Sequence, residues 1–205
     1  MPRLVDHAER REAIIGATWR LIAGKGIEAT GMRGIAAEVG YANAGTLSHY
    51  FANKDEILSA AYEHVYSQTN RRIRAALGES TGLDAIRLMA REIIPDDDVT
   101  VDEAKIAVSF WQRSLQNEAM RATGEQAMGY WRQQLAAFFG QARAAGTIES
   151  DASDSELAGE LLALLLGTHI TGLLDSGSGP VMRPAQIVDS FLRRLGPRPQ
   201  VPGRD

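Results

Sequence analysis

Apolar residues recur along this chain at the three-to-four spacing of a helix, and no segment alternates as a half-buried strand does. Residues 7–23 place Ile14, Ala17 and Leu21 on one face with Ile15, Trp19 and Ile22 beside it, and Gly24-Lys25-Gly26 predicts the stop. Thr30 is the expected cap of a short helix over 31–39, with Ile35, Ala36 and Val39 turned inward and Gly40 ending it. A turn through 41–43 leads to a second short helix reaching about Phe51. Asn53 and Glu56 predict a capping box before a longer stripe of Ile57, Leu58, Ala61, Tyr62 and Val65.

Beyond Gly78 the helices lengthen and become more apolar. Leu83, Ile86, Ala90 and Ile93 mark one, stopped by Pro95, and residues 102–116 predict another after an acidic Asp96-Asp97-Asp98 loop. Met128, Trp131, Leu135, Phe138, Phe139 and Ala142 share a face of the next. Ser153 and Glu156 predict a second capping box, Gly177-Ser178-Gly179-Pro180 a loop, and Pro184 the start of a last helix closed by Gly196. The expectation is an all-α protein of about nine helices, with a Pro- and Arg-rich tail over 197–205 expected to be disordered. Three parts are expected: 1–52 as a helix-turn-helix domain, 53–77 as a connecting helix, and 78–196 as a larger helical body.

The chain has 205 residues, enough for one large or two small domains, and its 44% hydrophobic content can fill a core. With no cysteine it has neither disulfides nor thiolate chemistry, which fits a reducing compartment. The polar N-terminus predicts no signal peptide, and the apolar run over 161–174 reads as too short for a membrane span, so a cytoplasmic protein without membrane partners is expected. The net charge of −4 argues against nucleic acid until it is divided by region. Residues 1–77 carry ten Lys/Arg against eight Asp/Glu, a balance of +2, and the remainder is −6. A small basic unit precedes an acidic body.

Residues 30–51 need a specific explanation, because two such short helices are unstable alone. Ala36 allows close packing of the second helix across the first, and Gly40 suits the turn between them, as in a helix-turn-helix. With Leu47 and Phe51 inward, Asn43, Thr46, His49 and Tyr50 face out, where short polar side chains can meet base edges or phosphates. Spacing alone equally allows a small bundle whose polar residues only face water.

Residues 26–58, with Ile35-Ala36, Gly40, Gly45-Thr46-Leu47, His49-Tyr50-Phe51 and Asn53-Lys54-Asp55, resemble the DNA-binding domain of TetR-family transcriptional regulators. The Leu-Ser-His-Tyr-Phe run and the layout of the last two helices are similar to the BetI-like branch. Here one residue more than usual lies between Gly40 and Phe51. The resemblance implies homodimers with a ligand-responsive helical body. It puts Thr30 on phosphate, Arg33 on phosphate or a base edge, and Tyr41, Ala42, Asn43, Ala44, Gly45 and Thr46 in the major groove. His49 would lie beside them. Tyr50 would bond phosphate, and Lys54 would add charge at a positive helix end.

The body offers no catalytic constellation: no His-Glu metal pattern, nucleophile elbow or phosphate loop. Neither an enzyme nor a cofactor is expected, and His7 and His64 read as solvated. Met89, Phe110, Trp111, Met128 and Trp131, with His169 as a polar group, read either as core or as the wall of an apolar pocket, with Gln112 and Arg113 as further polar candidates. Leu161, Leu165, Ile187, Phe191 and Leu195 lie on helices so widely apolar that they are either central to the core or face a second subunit. The leading expectation is a homodimeric repressor that binds a palindromic operator in double-stranded DNA and is released by a small-molecule effector. The alternative is a small-molecule-binding helical protein whose DNA binding is lost or altered.

Overall fold

The computed structural model describes residues 2–27, 30–174 and 183–196, with side chains from residue 7 onward. Among them are eight α-helices and one 3-10 helix, in the order α1 (Pro2–Lys25), α2 (Met32–Val39), the 3-10 helix (Ala44–His49), α3 (Lys54–Leu77), α4 (Gly82–Ile93), α5 (Asp98–Ser114), α6 (Glu118–Ala144), α7 (Asp154–Leu174) and α8 (Pro184–Arg194). The expected loop at 177–180 and the tail at 197–205 lie outside the described residues.

The chain forms two compact units, and they do not follow the linear division at residue 77. The first comprises Met1–Asn70 and Asp97–Ala127, the second Arg71–Asp96 and Met128–Asp205. Helices α3 and α6 contribute residues to both. Periodicity marks an apolar face on α5 but not the neighbour that covers it, and α5 lies in the first unit.

In the first unit Ile14, Ala17 and Ile22 of α1, Ile35 and Ala36 of α2, Leu47, Phe51 and Ile57 make the core of the small N-terminal fold. Helix α5 adds Ala104, Ile106 and Phe110, whose ring stacks on Tyr62 at 3.9 Å between centroids. Burial there pushes the Tyr62 hydroxyl up to a pKa of about 12. Three polar ties fasten α5 and the residues after it to this fold. Lys105 donates to the carbonyl of Ala23, left open at the end of α1, at 3.0 Å. Arg113 forks onto Asp55 at 2.8 and 3.3 Å, and the Asn117 amide donates to the same carboxylate at 3.1 Å.

The second unit buries Ile86, Met89 and Ile93 of α4, Trp131, Leu135 and Phe139 of α6, Leu157, Leu161 and Leu165 of α7, and Val188, Phe191 and Leu192 of α8. Phe139 meets Phe191 edge-on at 6.4 Å. Arg143 closes the turn before α7, bonding Asp154 and the carbonyls of Ser150 and Ala152.

Several expected boundaries moved. Helix α1 starts at Pro2 rather than near residue 7, and α5 starts at Asp98 rather than 102. The acidic run is not a plain loop, because Asp97 caps α5 by accepting from the Thr100 N–H at 2.7 Å while its own N–H donates to Thr100 Oγ1. The Ser153–Glu156 box forms as expected. At α3, Asn53 accepts from the Glu56 N–H, but the Glu56 carboxylate accepts from Ala52 rather than Asn53, one residue upstream of the expected partner. Helix α7 extends beyond the apolar run 161–174. It is 21 residues long, and by length and composition it could cross a membrane. The run 161–174 is the apolar part of a helix that begins at Asp154, directly after the Ser153 of the expected Ser153–Glu156 box. A core helix meets the same criterion, and α7 packs against α8 with Leu157, Ala158, Leu161, Leu162, Leu165, Thr168 and His169 buried.

Candidate DNA-reading surface

Helix α2 ends on Gly40, whose φ of 85° is the left-handed conformation that costs other residues most. Its N–H bonds the Ala37 carbonyl, and the next N–H, of Tyr41, bonds that of Ala36 at 2.8 Å. The chain then runs extended through Asn43 (φ −151°, ψ 160°) before winding into the 3-10 helix from Ala44. Asn43 is thus the N-terminal flank of this helix. Leu47 is fully buried beneath the element, and Phe51 closes its far end.

What remains outside is a polar strip. Arg33 on α2 is exposed, as are Ala42, Asn43, Gly45, Ser48 and His49, while Ala44 and Thr46 are half-buried. Ser48 was not singled out from sequence, although its position one residue from the buried Leu47 dictates its exposure. Its hydroxyl donates to the Gly45 carbonyl at 2.7 Å. These side chains have the donors and acceptors that base edges and phosphates require.

The end of the strip is clamped from within. Arg11 of α1 donates to the Tyr50 carbonyl, lies 4.0 Å over the Phe51 ring and pairs with Glu56 at 3.5 Å. The Tyr50 ring packs between His7, at 4.9 Å, and Tyr41, at 6.4 Å. His7 Nε2 also lies 3.4 Å from the His49 carbonyl, and His64 lies near Glu12 and Gln68, so neither histidine is merely solvated.

Three residues that the resemblance puts on DNA are buried in whole or in part. Thr30 is fully buried and does not cap α2: Gly31 is the N-cap, and the Thr30 hydroxyl donates to the Gly26 carbonyl at 2.8 Å just past the end of α1. Lys54 sends its ammonium to the Ile27 carbonyl at 3.0 Å. The Tyr41 hydroxyl is buried with no hydrogen-bond partner. In each case an inward environment decided the orientation, and single-residue chemistry does not reveal it.

The other expected sites fare differently. Met89, Phe110, Trp131 and His169 are buried, with His169 Nδ1 2.9 Å from the Leu165 carbonyl one turn back, whereas Trp111 and Met128 are half-buried. Of the expected dimer residues Leu161, Leu165, Phe191 and Leu195 are buried within their own chain and Ile187 is half-buried, so this set is mainly core. The outward face of α7 is instead Ala163, Gly167, Ile170 and Leu174, at spacings of four, three and four. Among the described residues no three or more His, Cys, Asp or Glu side chains are grouped so that they could hold a metal ion.

Residues 14–61 match the model of bacterial regulatory proteins of the tetR family, and residues 82–197, more than half the chain, match that of the BetI-type transcriptional repressor C-terminal region. The chain belongs to the TetR family, BetI-type. This TetR-family chain is 28% identical over 202 residues to the HTH-type transcriptional regulator BetI of Burkholderia thailandensis, covering 95% of this chain and 97% of that protein. It is 33% identical over 111 residues to the regulator PksA of Bacillus subtilis, covering 54% of each, so it spans only about half the length of that relative. The match to BetI of Burkholderia mallei spans 63% of that protein. A transcriptional regulator from Saccharomonospora viridis, solved in complex with choline, superimposes with a TM-score of 0.84 at 25% identity, over 93% of this chain and 100% of that one. The family and these relatives are transcriptional regulators, not enzymes.

Proposed function

We propose that this TetR-family regulator is a homodimeric repressor that binds a palindromic operator through two copies of the strip around Arg33, Asn43, Ser48 and His49, and leaves it when a small molecule binds. The observation that carries the reading is the arrangement of residues 32–51: a left-handed Gly40 turn, an anchor of Leu47 and Phe51, and exposed polar side chains between them. In this reading residues 1–52 contact DNA, 53–77 connect, and 78–196 sense the effector and pair the subunits, all in the cytoplasm beside the chromosome. Choline in the Saccharomonospora relative supports a small-molecule effector without naming this one. The outward stripe of α7, with small residues at 163 and 167, supports close two-fold helix packing.

Selection of bound sequences from a random duplex pool tests the reading. The expected product is a near-palindrome with half-sites about 34–36 Å apart or a multiple of that spacing. Arg33→Ala is expected to weaken operator binding about tenfold, since a base or phosphate contact of this kind contributes about 1–3 kcal/mol. A pool with no enriched sequence, together with binding indifferent to salt, would refute it. The second reading, a small-molecule-binding protein with altered DNA binding, is favoured by the longer Gly40–Phe51 spacing. It gains if the pool yields nothing while ligand-dependent stabilisation persists.

A further inference from the structure

Within the first unit a hollow of about 270 Å³ opens between Ile27, the first turns of α3 and the C-terminal part of α5 and the turn after it. Leu58 and Ile27 supply its apolar wall, and Lys54, Asp55, Ser109, Gln112, Arg113 and Gln116 supply polar groups. Of the side chains expected from sequence around a pocket, the polar candidates Gln112 and Arg113 line it, whereas Met89, Phe110, Trp111, Met128, Trp131 and His169 do not. Its charge is two cations against one carboxylate, and that carboxylate is already engaged by the Arg113 fork and the Asn117 amide. Lys54 commits one ammonium hydrogen to the Ile27 carbonyl and keeps two. Gln112, in the last turn of α5, and Gln116, in the turn after it, are exposed, and their amides can donate to an anion and accept from a neighbouring hydroxyl or N–H.

We infer that this hollow binds a small organic carboxylate, with the anion between Arg113 and Lys54, its short apolar part against Leu58 and Ile27, and the two glutamine amides on its flanks. A guanidinium fork matches a carboxylate geometrically, so the incoming anion competes with Asp55 for Arg113. The exchange has a direction. Asp55 belongs to the first turn of α3, a helix separated from the 3-10 helix by four residues, and Arg113 belongs to α5. A ligand that takes Arg113 removes a tie between α5 and α3, the helix that follows the polar strip in the chain. The inference rests on the repressor reading for its consequence, but not for the binding itself.

Calorimetric titration of the full chain with sodium butyrate, against sodium chloride at equal ionic strength and the uncharged isostere butyramide, tests it. Butyrate is expected to bind and butyramide not to. Arg113→Ala is expected to weaken butyrate at least tenfold, Arg113→Lys and Gln112→Ala by smaller factors, and Asp55→Asn to tighten it several-fold by freeing the fork. If Arg113→Ala does not fold, as judged by circular dichroism, the Lys and Gln112 variants carry the comparison. Equal binding of butyrate and butyramide, or butyrate affinity unchanged in the folded Arg113 and Gln112 variants, overturns the site. Operator binding is measured separately: a selected operator with no butyrate binding defeats the site and leaves the repressor reading. Arg113-dependent butyrate binding without any operator does the reverse.

Discussion

The two faces of α7 make opposite predictions, although the sequence shows leucine and isoleucine on both. Ile170 is 43% exposed and Leu174 77%, whereas Leu161 is fully buried. In a two-fold dimer through the outward stripe, Ile170→Asp acts twice. Full burial of an isoleucine side chain contributes about 1.5–3 kcal/mol, so the part left uncovered in one chain amounts to about 1 kcal/mol, or about 2 for the pair. Each carboxylate pressed unpaired into the interface adds several kcal/mol more. A total above about 4 kcal/mol weakens association about a thousandfold, at 1.4 kcal/mol per tenfold. Sedimentation velocity over a wide concentration range should show the parent as a dimer and Ile170→Asp as a folded monomer with nearly unchanged thermal unfolding when monomeric. Leu161→Ala should instead lower folding stability by about 2–5 kcal/mol while the refolded fraction still dimerises. If both proteins dissociate over the same concentration range as the parent, the outward stripe is not the interface.

Gly40→Ala forces a side chain into the left-handed region and is expected to cost about 1–2 kcal/mol, read as a lower denaturant midpoint without a change in slope. Tyr41→Phe removes a buried hydroxyl with no partner and should be neutral or stabilising by up to about 1 kcal/mol; clear destabilisation would mean that the hydroxyl is satisfied in solution. Asp55 is held below its ordinary pKa of 3.8, first by its hydrogen bond to Arg113, against the upward push of burial. A depressed carboxylate stabilises the fold above its ordinary pKa and loses that contribution as pH falls through the lowered value. Stability measured from pH 6 down to 2 should therefore fall less steeply in Asp55→Asn than in the parent, and parallel curves would count against the pair.

Local signals were legible wherever the cause was local. The Gly40 stop, the Ser153–Glu156 box, the start of α8 at Pro184 and the buried Leu47 and Phe51 follow from spacing and turn chemistry, because the groups involved lie within a few residues of one another. Helix count and class were readable for the same reason: a 3.6-residue period is a property of each segment alone. Side-chain destinations were not. Thr30 and Lys54 have the chemistry of phosphate ligands, yet the Gly26 and Ile27 carbonyls accept from them. Leu161 and Ile170 are equally apolar, and only the packing of α7 against α8 separates core from surface. The ties from α5, Lys105 to Ala23 and Arg113 to Asp55, span 82 and 58 residues of sequence. Period and composition record that a helix has an apolar face and a charged one. Which neighbour covers the first and which carboxylate meets the second depends on long-range packing, where each group is satisfied by whatever lies across the contact rather than by its neighbours in the chain.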